Sequence, residues 1–214
     1  MTIEVQDIAG LIPYAVRIEE TIKDALKEIE GKLSLGDVRI VVKKTDHPDG
    51  LKDMGGVGGY CPNGKLIELS IDVNNLLFQK SWEQLIWRSL LHELHHAARR
   101  QSGIVIGESS FLECLFSEGL ADYFVYEITS AKPVWVIDLD KEVIDKLQER
   151  AKQIFNQPVT DKLYNDWFIE GSKELDIPRW SGYVLGYKLV EDYLAKNPGV
   201  TATSLATLPT PNLM

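Results

Sequence analysis

The chain has 214 residues, 44% of them hydrophobic and 26% charged, which is the composition of a globular protein able to bury a core. A formal net charge of −9 and a pI near 5.0 exclude the basic stripe of a nucleic-acid surface. No apolar run approaches the roughly 18 residues of a membrane-spanning helix, so no membrane partner is expected.

The N-terminal "MTIEVQDIAGLIPYAV" lacks the basic and apolar regions of a secretory signal. Two cysteines, Cys61 and Cys114, are too few for a disulfide framework, and reduced thiols in a cytoplasmic protein are expected. No fixed-period repeat or low-complexity linker divides the chain. A single domain over 1–214 is expected, with a sheet-bearing lobe at 1–80 and a helical lobe at 81–214.

In "PYAVRIEETIKDALKEIEGKL", Val16, Ile22, Leu26, Ile29 and Leu33 recur at near-helical spacing behind a proline. "VRIVVKK" reads as a buried strand by its β-branched content. The glycine-rich "DMGGVGGY" imposes little backbone preference and is expected to be a mobile lid. It is no phosphate loop, because Lys65 is followed by Leu66 and not by Ser or Thr. "CPNGKLIELSID" gives a turn at Pro62-Asn63-Gly64, then a strand with Ile67, Leu69 and Ile71 on one face. That strand is either an edge that holds a substrate backbone by strand addition or an ordinary core strand. Helices are expected over roughly 82–101, 111–128, 140–156 and 181–196, the last stopped by "NPG". Strands early and helices late predict an α+β fold.

Three of the four histidines fall within "HELHH", residues 92–96. Ser81 and Gln84 make a capping-box signal ahead of this helix. At 100° per residue, Trp87, Leu90, Leu91, Leu94, Ala97 and Ala98 gather on one arc, and His92 and His96 lie opposite, one turn apart. Two imidazoles so spaced can converge on one Zn²⁺, while Glu93 projects beside it and can take a proton from a metal-activated water. That division of labour is the chemistry of H-E-x-x-H. A solvated polar face is the competing reading. His95 is read as a flanking residue.

The extended form H-E-x-x-H-x-x-G-x-x-H fails, because Arg99 and Ser102 stand where its glycine and last histidine would be. His47 lies in an exposed-turn sequence. The third ligand is sought in "SSFLECLFSEGLADYFVYEI", a helix opened by a Ser110–Glu113 capping signal and apolar nearly all round. A carboxylate there is costly unless something positive meets it. Glu118 is the candidate ligand, completing a His₂Glu set with one position open. Asp122 would take the free ring N–H of a liganding histidine, although the two roles can be exchanged. Gly119 and Ala121 would let this helix and the "HELHH" helix approach closely. "RRQSGIVIGESS", with glycines at 103 and 107, can supply the reversal between the two helices.

"HELHHAAR", "SEGLADYF" and "WSGYVLGYKLVEDYL" together resemble the gluzincin-like metallopeptidases. More narrowly, they resemble a bacterial family of unknown function described as predicted zinc-dependent proteases. The resemblance runs from about Leu66 to Lys196. It implies His92, His96 and Glu118 as ligands, Glu93 as base, and Asp122 matching the aspartate four residues after a gluzincin's ligand glutamate. In the last helix, Tyr183 and Tyr187 share a face, and either could stabilise an oxyanion or simply pack at an interface with Trp180. Cys114 is read as a small core residue.

These readings combine into a small N-terminal sheet and helix on a mainly helical, zincin-like core. One Zn²⁺ per chain is expected, and a peptide or protein substrate. The expected reaction is peptide-bond hydrolysis by a metal-activated water with Glu93 as general base. The alternative is a non-catalytic zinc-containing or peptide-binding protein on the same scaffold. Glu93 separates the two, since a structural metal site needs no base beside an open position.

Overall fold

The computed structural model describes residues 1–6, 11–104 and 110–210. The fold is α+β, with a four-stranded sheet near the N-terminus and helices forming most of the rest. Two compact units divide the chain, Met1–Gly103 and Ile104–Met214.

The first unit contains the sheet. Strand β1 (Thr2–Val5) lies parallel to β2 (Arg39–Lys44), and helix α1 (Ala15–Glu28) connects them. A single helical turn, α2 (Pro48–Leu51), precedes β3 (Val57–Tyr60) and β4 (Leu66–Ile71). β4 is parallel to β2 and antiparallel to β3, giving the order β1-β2-β4-β3. Ile67, Leu69 and Ile71 are fully buried, as the alternation of β4 requires.

One open choice is decided here and one expectation changes. "KLIELSID" is an inner strand, paired on both sides, so it offers no edge to a substrate. The glycine-rich segment expected to be a lid forms β3, the edge strand itself. Its pairing with β4, from Val57↔Ile71 to Tyr60↔Glu68, supplies the backbone preference that glycine alone lacks.

Helix α1 buries Ile18, Ile22 and Ala25, and Ile29 just past its end is buried as well, whereas Val16 is 70% exposed and falls outside the face expected from spacing. Helix α3 (Leu76–Gln101) starts earlier than expected. Its cap is Asn75, whose side-chain oxygen accepts from the Leu77 and Phe78 N–H groups at 2.9 and 3.2 Å. Ser81, read as a cap, instead interrupts this longer helix with φ −144°, ψ 27°. The regular stretch carrying "HELHH" therefore begins where expected, after a kink.

The second unit is helical. α4 (Phe111–Thr129) is capped by Ser110, whose hydroxyl accepts from the Glu113 N–H at 3.3 Å. The Glu113 carboxylate accepts from Ser117 Oγ at 2.9 Å and from Thr210. α5 (Lys141–Ile154) buries Leu147 and Ala151. α6 (Asp161–Tyr164) runs into a π-helical turn, Asn165–Ile169, that buries Trp167 and Phe168. α7 (Ser181–Lys196) follows Trp180, which holds a left-handed conformation at φ 64°. α8 (Ala202–Leu205) carries a Thr201–Ser204 capping box, and Glu127 accepts from its first N–H groups at 2.7 and 3.2 Å.

α4 and α7 cross at two glycines. A Cβ on Gly119 would sit 2.1 Å from the Gly186 carbonyl oxygen, and one on Gly186 would sit 2.2 Å from the Leu115 oxygen. Gly119 thus serves contact with α7. Gly107, expected to help reverse the chain, lies outside the described residues. No described helix is long and apolar enough to cross a membrane.

Candidate metal centre

From Ser89 to Arg99 every residue of α3 is buried. This removes the solvated-face reading, because His92, Glu93 and His96 are only 5%, 7% and 6% exposed despite lying opposite the apolar arc. The Nε2 atoms of His92 and His96 face one another at 3.0 Å, with the rings at 82°. Two buried imidazole nitrogens so placed need a proton or a cation between them. Ligands about 2.0–2.1 Å from one zinc ion would be roughly 3.3 Å apart at a tetrahedral angle, so the pair fits a shared ion. The helix produces this convergence by itself, since residues four apart stack on one face. His95, fully buried, sits between the pair in sequence. His47 is exposed, as expected.

Glu93 is packed against β3. A Cβ built on Gly59 would meet Glu93 Oε1 at 2.5 Å and its Cγ at 2.6 Å. Cys61, just past the strand, is buried and free. Burial, then the charge of Glu93, pushes its thiol from 9.0 up to about 11, so it stays protonated near neutral pH.

In the second unit, Glu118 is 6% exposed and Asp122 fully buried, one helical turn apart on α4. Asp122 Oδ1 accepts the Trp135 indole N–H at 3.0 Å. The Tyr183 ring lies 5.9 Å from that of Trp135, and its hydroxyl is 3.4 Å from that of Tyr164. Burial, followed by the charge of Glu118, holds the Tyr164 phenol well above its ordinary range. Tyr187 belongs to a different cluster, with rings of Tyr123 at 5.1 Å and Tyr126 at 6.4 Å and the Lys132 ammonium 4.8 Å from its centroid. Its phenol is also raised, by burial first and then by Tyr123 and Glu191. Cys114 is a buried, free core thiol, raised by burial and by Glu118.

Tyr183 and Tyr187, equivalent in sequence, thus have different surroundings. As neighbours of the candidate site residues, Gly59, Cys61, Trp135 and Tyr164 went unread in the sequence. Gly59 had a signal, as glycine inside a strand often marks a close approach. Tyr164 and Trp135 had none, since neither lies in a motif with its partner.

Among the described residues, the buried His92, His96 and Glu118 are the donors that could together hold a metal ion. Two neutral imidazoles and a carboxylate suit zinc and leave a coordination position for water or substrate. No curated protein and no solved structure matches the chain. The family model described as "Predicted Zn-dependent protease (DUF2268)" matches residues 18–213, nearly the whole chain, and the protein belongs to that family.

Proposed function

We propose that the protein is a zinc-dependent peptidase. The observation that carries this reading is the buried convergence of His92 and His96 with the carboxylate of Glu93 beside them on the same helix. His92 Nε2, His96 Nε2 and a Glu118 oxygen would hold the ion. Bound Zn²⁺ supplies Lewis-acid polarisation and lowers the pKa of water.

The chain's own groups do the rest. Glu93 accepts a proton from the attacking water and returns it to the leaving amine. A carboxylate accepts at both oxygens, so the Trp135 bond is compatible with Asp122 also taking an imidazole N–H and fixing that ring. Tyr183, with Tyr164 at its hydroxyl, donates to the oxyanion of the tetrahedral intermediate. Tyr187 is assigned no catalytic part, because its ring belongs to the tyrosine cluster.

The substrate strand docks on β3. Asp72 N–H donates to the Gly56 carbonyl at 2.8 Å. Antiparallel alternation then turns the N–H and C=O of Gly58 and Tyr60 toward β4, and those of Val57 and Gly59 toward the outer edge of the sheet. An extended peptide can pair there without regard to its side chains.

The test is elemental analysis of the purified protein and a peptide-library digest read by mass spectrometry, comparing wild type with Glu93→Gln. About one zinc per chain is expected in both proteins. Hydrolysis should fall by roughly 10²–10⁴-fold in the variant, as for a lost general base. Absence of zinc uptake overturns the metal assignment. Zinc without cleavage favours the non-catalytic alternative.

A further inference from the structure

Gly59 breaks a rule of its strand. Glycine inside a strand sacrifices packing and costs conformational entropy, so it persists where a side chain is not tolerated. The neighbouring glycines have a backbone reason, since Gly55, Gly56 and Gly64 all hold positive φ, between 75° and 79°. Gly59 is not among the positive-φ residues and sits in register opposite Leu69. Any residue could adopt its backbone.

What excludes a side chain is Glu93. A Cβ on Gly59 would lie 2.5 Å from Oε1, 2.6 Å from Cγ and 2.9 Å from Cδ. The clash involves the whole end of the side chain, and Glu93 is only 7% exposed, so it has little room to swing away. Gly58 differs. Its Cβ would meet Cδ2 of Leu51 at 2.6 Å, the end of a flexible side chain that can move aside. The two glycines face opposite sides of the strand.

We infer that Gly59 is a positioning residue for Glu93: its bare backbone is the surface against which the carboxylate is seated, and any side chain there displaces the base. This deepens the peptidase reading and rests on it only for the consequence in catalysis. The seat itself is a packing relation that holds without metal or substrate. It also places the base beside a residue whose own N–H and C=O face the outer edge of the sheet.

A double-mutant cycle in thermal stability, run on the full chain with and without chelator, tests the seat directly. Gly59→Ala should lower the melting temperature by about 5 °C through overpacking. In a Glu93→Ala background the same substitution should cost nothing measurable. Gly58→Ala should cost the same in both backgrounds. An equal loss from Gly59→Ala with and without the Glu93 side chain overturns the inference. Should Gly59→Ala fail to fold, Gly59→Ala/Glu93→Ala must recover folded protein, and a double variant that also fails overturns it.

The catalytic arm uses a split and a rescue. Gly59→Ala should retain zinc and KM within about 3-fold while kcat falls by roughly 10²-fold, as for a misplaced reacting group. Glu93→Asp, shorter by one methylene, should lower kcat in wild type but cost less in the Gly59→Ala background. A rise in KM with unchanged kcat would make Gly59 a substrate-strand residue and overturn the positioning role. A wild type that cleaves nothing defeats the peptidase reading, while the stability cycle still decides the seat.

Discussion

The two units present their candidate residues in opposite ways. In Met1–Gly103, His92, Glu93 and His96 come from two successive turns of one helix, and the 3.0 Å approach of the imidazoles follows from helical geometry. In Ile104–Met214, the partners are remote in sequence: Trp135 reaches Asp122 across 13 positions, and Tyr164 reaches Tyr183 across 19. A constellation inside one helix is visible as a motif, whereas one assembled from several elements has no spacing to read. The local pair needs only helix formation, while the dispersed set depends on the packing that holds α4, α7 and the π-helical turn.

The largest expected effect tests whether the local pair suffices for metal. His92→Ala and His96→Ala should each abolish tight zinc binding in a chelator competition, and Glu118→Ala should do the same. His95→Ala should keep most of it, although loss of a fully buried ring should destabilise the fold by roughly 1–3 kcal/mol. Retention of stoichiometric zinc by Glu118→Ala would mean that the helix alone makes the site.

A second test separates the two tyrosines that the sequence could not. Tyr183→Phe should lower kcat by roughly the 10²–10³-fold of a lost oxyanion donor, with zinc content unchanged. Tyr187→Phe should leave kcat within about 3-fold of wild type, consistent with its place among Tyr123, Tyr126 and Lys132. Equal losses would return the donor role to both.

The smallest effect sharpens the role of the dispersed carboxylate. Asp122→Ala should weaken zinc affinity by roughly 10–100-fold, the range for a residue that orients a ligand. Trp135→Phe removes the indole donor and should cost about 1–3 kcal/mol in denaturant unfolding, since it deletes one partner of a buried pair. Its effect on zinc affinity should be smaller than that of Asp122→Ala. The reverse ranking of Asp122→Ala and Glu118→Ala would exchange their roles.

Much of the architecture was legible from local pattern. The helices at 111–129, 141–154 and 181–196 fall within a residue or two of expectation, because caps, apolar periodicity and "NPG" are local signals. The inner face of β4 was readable from alternation, and His92, Glu93 and His96 from their spacing on one helix. The start of α3 was misread because Ser81 looks like a cap, while the preceding turn is closed by Asn75.

Sheet order, by contrast, belongs to the tertiary structure. Nothing in "KLIELSID" or "VGGY" states which strand is central, because hydrogen bonds to a partner strand leave no residue-level mark. The glycine run read as conformational freedom became an edge strand once β4 paired with it. The same holds for burial of the whole of α3 from Ser89 to Arg99: the sequence left a solvated face as the competing reading, and burial removed it. Gly119 against Gly186, Gly59 against Glu93 and Tyr164 against Tyr183 are close approaches across the fold. The sequence by itself determined which atoms can bind metal and accept a proton, since that is fixed by residue type and helical pitch. The neighbours that seat those atoms were decided only when distant segments packed, since contacts between them carry no period along the chain.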